Sequence, residues 1–288
     1  MPDSLIPDNL PVFLIFLSQI LVVSVYLPLR RYKLRWEIFE THPVSEYPRY
    51  YPQTIEFERR RLTIGRNLPL FIALVGLGFF CLAWVSNYSQ VTMTRVVLLF
   101  CMVQIVPVAM WEIWDAQRAH QMRAKDQSTT RKAELRVRHL SDFVSPLSIT
   151  VAIVMYVFAT FAMGYIYLND LWSSDVRWKL PALLFVNALM VLGFGGLGVF
   201  HKLYGKRIDP YMANLDRMQR IAKGIKILAY MSIVYSFFIL VLLSMQTFDL
   251  VLELNAIVTS IFYQAILAYG VLHAGEKRDF EVYREAVH

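Results

Sequence analysis

Residues 144–169 read VSPLSITVAIVMYVFATFAMGYIYLN, and no charged side chain stands between Asp142 and Asp170. A bilayer core asks for about 20 consecutive apolar residues per helix, and this stretch exceeds that length. A soluble core does not require so long an uninterrupted run. Working outward from it, six more runs meet or approach the same length: Val12–Leu29, Leu68–Val85, Val96–Trp114, Leu180–Phe200, Ile225–Met245 and Leu252–Leu272. With Phe143–Tyr167 they predict an all-α, polytopic membrane bundle of about seven transmembrane spans in a single transmembrane domain, residues 1–288. Composition agrees, since 57% of residues are apolar and only 18% charged, against roughly 25% charged in soluble domains.

The first run reads as a retained span. The leader MPDSLIPDNL carries two Asp and no Lys or Arg, and LPLRRYK follows the run where a cleavage site would need small residues.

Charge predicts the orientation. Positive loops resist translocation and stay in the cytoplasm. With the N-terminus outside and the C-terminus cytoplasmic, segments 30–67, 115–142, 201–226 and 272–288 hold 26 of the 29 basic residues. Only Arg95, Arg177 and Lys179 remain outside. The cytoplasmic face then carries +10 and the outer face −3. The basic loops 30–67, 115–142 and 201–226 point to anionic lipid headgroups at the cytoplasmic face, worth about 1 kcal/mol per basic residue near the surface. They do not read as a nucleic-acid footprint. The expected location is the plasma membrane, which in a bacterium is the inner membrane. A membrane-protein partner or a homo-oligomer is a further expectation.

Prolines and glycines mark the helices. Pro69, Pro146 and Pro181 fall in the first turn of a predicted span, where a missing N–H costs little, and Pro107 is internal. The segment HPVSEYPRYYP, residues 42–52, cannot form a regular helix and reads as an aromatic interfacial anchor. The run GFGGLG, residues 193–198, suggests close helix approach, or a hinge. Cys81 and Cys101 read as unpaired buried thiols.

Intramembrane ionisable residues are costly and usually functional, and here the central part of every span lacks them. Polar residues instead recur at helical spacing. Gln104, Asn187, Ser232, Tyr235, Ser236, Ser260 and Gln264 form a candidate polar cavity, with hydrogen bonding between helices as the competing reading. Glu112, Asp115, His139, His201 and His273 form a candidate cluster at the cytoplasmic mouth. No catalytic residue, cofactor site or metal-ligand spacing can be read, and no cofactor is indicated. The leading functional expectation is a non-enzymatic protein that carries, conducts or binds a small solute through a polar, charge-poor interior. Two alternatives stand beside it: a scaffold or assembly subunit with lipid-binding loops, and a cytoplasmic-face enzyme acting on a lipid or hydrophobic metabolite.

Overall fold

The computed structural model describes residues 10–86, 88–125, 139–171, 179–204, 209–212, 214–248, 252–272 and 279–284. Among these residues the regular elements are all helical. Helix α1 runs over Leu10–Thr41, α2 over Ile55–Val85, α3 over Gln90–Lys125 and α4 over Pro146–Leu168. Helix α5 begins as Lys179–Met190, passes through a π-helical segment Val191–Gly198 and ends as Val199–Tyr204. Helices α6 and α7 cover Asn214–Thr247 and Leu252–Leu272. Six of them, all but α5, are long and apolar enough to cross a membrane. The α5 run coincides with the predicted span Leu180–Phe200.

The chain forms two compact units. The first holds α1, α2, α3, α7, the short segment 209–212 and residues 279–284. Its core is threaded by α1: Val12, Phe13, Phe16 and Ile20 have no exposed surface and pack with Ile72 and Ala73 of α2, Met93, Val97 and Phe100 of α3, and Ala256 of α7. Of its apolar window 44% is buried, against 28% for α2 and 17% for α7, so α1 is the inner helix of this unit. Two glycines let neighbours close in. A Cβ on Gly65 would run into the Trp111 ring, and one on Gly76 would lie 2.5 Å from Phe100.

Helix α1 changes register at Ile20–Tyr26, a π-helical stretch in which the Leu27 N–H reaches Val22 O. Pro28 follows directly. Lacking an N–H, it cannot bond to the carbonyl one turn back, and a wider turn is one way for a helix to absorb that loss.

The second unit holds α4, α5 and α6. One cluster joins Ala159, Met163 and Ile166 of α4 to Leu180 of α5 and to Ile239 and Leu243 of α6. Another gathers Phe143, Val144, Val199, Leu203 and Ile225. Helix α4 starts as expected, with Pro146 in its first turn and the Ser145 hydroxyl accepting from the Ser148 N–H. Many large apolar side chains face outward in both units, Leu74 at 69% and Phe161 at 73% exposed among them, as lipid-facing helices require.

Several expected boundaries shift. Helices α1 and α2 extend well past their apolar spans, so within 30–67 only residues 42–54 are non-helical. Pro69 is therefore inside α2 and not in its first turn. The segment 42–52 is a series of turns, as its prolines dictate. Gly196 has open space where a Cβ would stand, so close approach is not its role; it lies in the π-helical part of α5. Cys81 and Cys101 are both free, but they are not the buried thiols expected: Cys81 is exposed on an outward helix face and Cys101 is half-buried.

Candidate functional site

The expected polar-cavity residues fall into the two units. Gln104, Ser260 and Gln264 meet in the first, around a residue that the sequence did not single out. Gln19 of α1 is fully buried; it donates from Nε2 to Gln104 Oε1 at 2.8 Å and to Cys101 Sγ at 3.2 Å, and accepts from the Ser260 hydroxyl at 2.7 Å. Gln104 in turn donates to Ser24 Oγ at 2.8 Å and to the Gln19 carbonyl at 3.3 Å. Gln264 closes the chain by donating to Ser260 Oγ at 3.2 Å and Ser18 Oγ at 3.1 Å. Gln104 is 2% exposed and Ser260 not at all. These side chains use their hydrogen-bonding capacity on one another, helix to helix. The π-helical turn adds to this, because it lies directly after the Gln19 carbonyl that Gln104 caps. The available signal was the polar trio Ser18, Gln19 and Ser24 in an otherwise apolar span.

In the second unit Asn187 of α5 is fully buried and accepts from the Ser236 hydroxyl of α6 at 3.5 Å. Ser232 donates to the Leu228 carbonyl within its own helix, and Tyr235 packs beside Phe238.

The expected mouth cluster is divided as well. Glu112 and Asp115 belong to the first unit, where arginines claim both. Arg31 donates to Glu112 at 3.1 Å, and Arg35 grips Asp115 with two parallel bonds of 3.1 and 2.5 Å. His139 belongs to the second unit, where its N–H donates to the Asp142 carboxylate in a short 3-10 turn. The His201 side chain and His273 lie outside the described residues.

The most unusual group of charges was not anticipated as a site. Where α1 and α3 finish and α2 begins, Glu58 and Arg61 are 2% and 4% exposed. Arg61 Nη1 donates to Glu58 at 3.2 Å and Arg118 Nη2 donates to it at 2.7 Å. Aromatic faces wall the guanidinium groups. Arg35 lies 4.5 Å from the Trp111 ring, Arg61 5.3 Å from Trp114 and Arg118 5.2 Å from Tyr50, within cation–π range. Arg35, Glu58, Arg61, Trp111 and Arg118, with Tyr50, Tyr51 and Leu62, line a cavity of about 20 Å³. Tyr51 also lines an open groove of about 450 Å³ beside Lys125, Phe57 and Gln53. Burial raises the Tyr51 phenol above its ordinary range, so it stands there as a donor.

Tyr50 and Tyr51 belong to a second aromatic cluster with Tyr47, Met122 and Tyr283. The C-terminal residues fasten it. Tyr283 is 1% exposed and its hydroxyl donates to Asp209, Phe280 stacks on His42 at 3.8 Å, and the Tyr47 hydroxyl donates to Glu281. The anchor read from HPVSEYPRYYP is thus tied to residues more than two hundred positions away.

Compared with known protein families, curated proteins and solved structures, the chain matches none. What it is follows from its own construction: an all-helical, integral, multi-pass membrane protein.

Proposed function

We propose that this protein is a non-catalytic membrane component that works as a scaffold or assembly subunit. The observation that carries the reading is the closed hydrogen-bond chain Gln104–Gln19–Ser260–Gln264. The polar side chains that a mid-membrane solute path would need are spent holding α1, α3 and α7 together. Such bonds contribute roughly 0.6 kcal/mol each within a bilayer, and they fix one register among the helices. Exposed apolar helix faces support the reading by offering surface to lipid and to membrane-protein partners. Seven spans, an outside N-terminus and basic cytoplasmic loops facing anionic headgroups complete it, with the plasma membrane as the expected site.

The test is accessibility. Cysteine replaces Gln104, Asn187 or Gln264 in a Cys81→Ser, Cys101→Ala background, and a water-soluble thiol reagent is applied to sealed vesicles and to opened ones. A scaffold leaves all three unlabelled while a control cysteine at the exposed Arg49 reacts. Labelling at all three would restore the solute-path reading.

A further inference from the structure

Burying a guanidinium group is costly unless its donors are paired. Arg61 is 4% exposed, yet only Nη1 has a partner; Nε and Nη2 have none. Those two N–H groups form one edge of the guanidinium plane, the edge that receives carboxylate and phosphate oxygens side-on. The Nε of Arg118 and the Tyr51 hydroxyl are likewise buried without a partner. All three residues line the same cavity.

Charge leads to the same place. The buried Arg61 and Arg118 share the single carboxylate of Glu58, leaving one positive charge in excess, while Arg35 and Asp115 beside them neutralise each other in a partly exposed pair. The cavity, about 20 Å³, has room for little more than one oxygen-sized atom. A divalent anion would exceed the charge available, and a neutral ligand would leave the excess uncompensated.

We propose that this cavity binds a singly charged oxyanion, a carboxylate or a phosphodiester. One of its oxygens sits between Arg61 Nε and Nη2 and accepts from Arg118 and Tyr51. The rest of the ligand extends toward the groove that Tyr51 shares with Lys125. A phosphodiester of this charge occurs both in phospholipid headgroups and in free metabolites, and the geometry at Arg61 is the same for each. The proposal is independent of the scaffold reading, since none of its residues belongs to the Gln19 network.

The experiment uses the full chain purified in a neutral detergent. Thermal unfolding and the fluorescence of Trp111 and Trp114 are followed during titration with dimethyl phosphate, acetate or dihexanoyl phosphatidylglycerol, at an ionic strength matched with chloride. A saturable rise in Tm with a fluorescence change is expected. Saturation by dimethyl phosphate or acetate supports a free anion as the ligand, and saturation by the short-chain lipid alone supports a headgroup. Arg61→Gln should abolish the response. Tyr51→Phe keeps the ring and its packing, so it is the variant to use should Arg61→Gln fail to fold. Its half-saturation point should rise roughly tenfold for the loss of one hydrogen bond to a charged group. The proposal is overturned if no probe exceeds chloride, or if both variants respond like the wild type; the cavity then holds water.

Discussion

Gln19 is the hub of the hydrogen-bond chain in the first unit. It bonds to Gln104, Ser260 and Cys101, and a leucine there would leave Gln104 and Ser260 short of partners. Gln19→Leu is expected to cost about 1–3 kcal/mol, the usual penalty for stranding buried polar groups. Gln264→Leu, at the edge of the chain, should cost less than half as much, both read by thermal unfolding in detergent. Gly65 is a second critical point. Its missing Cβ makes room for Trp111, whose ring is also held under Arg35. Gly65→Ala should therefore destabilise by roughly 1–3 kcal/mol, the usual cost of overpacking, whereas Gly78→Ala should be neutral because nothing stands within 4 Å of its Cβ position. Glycine in an apolar run signals only that a side chain is missing; which neighbour fills the space depends on a helix far away in sequence. The sequence therefore pointed to residues 193–198, where Gly196 has open space, while tight contacts among the described glycines lie at Gly65 and Gly76.

At the scale of elements, each long apolar run coincides with one of the helices α1–α7 among the described residues, because a bilayer imposes a length on such runs. The ends were less legible. The basic lead-in FERRRLTIGRN and the polar continuation past Trp114 read as helical and are so in α2 and α3, whereas the continuation of α1 to Thr41 was not legible, because its charged residues read as loop. The π-helical segments carry no side-chain signature beyond Pro28 after the first. The turn segment 42–52 was recognisable from its prolines, but its fastening by Phe280 and Tyr283 was not. That contact yields a prediction. Arg49 sits exposed in this segment between the buried Tyr47 and Tyr50. Loss of a large aromatic anchor typically costs about 3–5 kcal/mol, so Tyr283→Ala should loosen the segment and speed trypsin cleavage after Arg49 by at least about tenfold. Unchanged cleavage would show that the segment is held without Tyr283.

At the scale of the whole molecule the charge distribution is the strongest evidence for topology. With 26 of 29 basic residues assigned to one side, alkaline phosphatase fused after His288 should be inactive and fluorescent protein fused there should fluoresce. Fusions after Leu171 should behave the opposite way. Matching results at both positions would reject the odd number of crossings between them. The candidate site was legible only in part. Gln104, Ser260 and Gln264 were found because helical spacing brings polar residues to one face, but the shared partner on α1 was missed. The Arg61 cavity was missed altogether, because basic residues at helix ends serve topology in any membrane protein. Their burial is decided by three helices at once.

The Gln19 hub also sets an order of events in synthesis. Its partners arrive in sequence: Gln104 on α3, then Ser260 on α7, 241 residues after Gln19 itself. Until α7 is inserted, a nascent α1 holds a polar amide in lipid with an acceptor unfilled. Helix α1 is thus completed only by a helix made much later, and any fragment that ends before α7 leaves that amide without one of its partners.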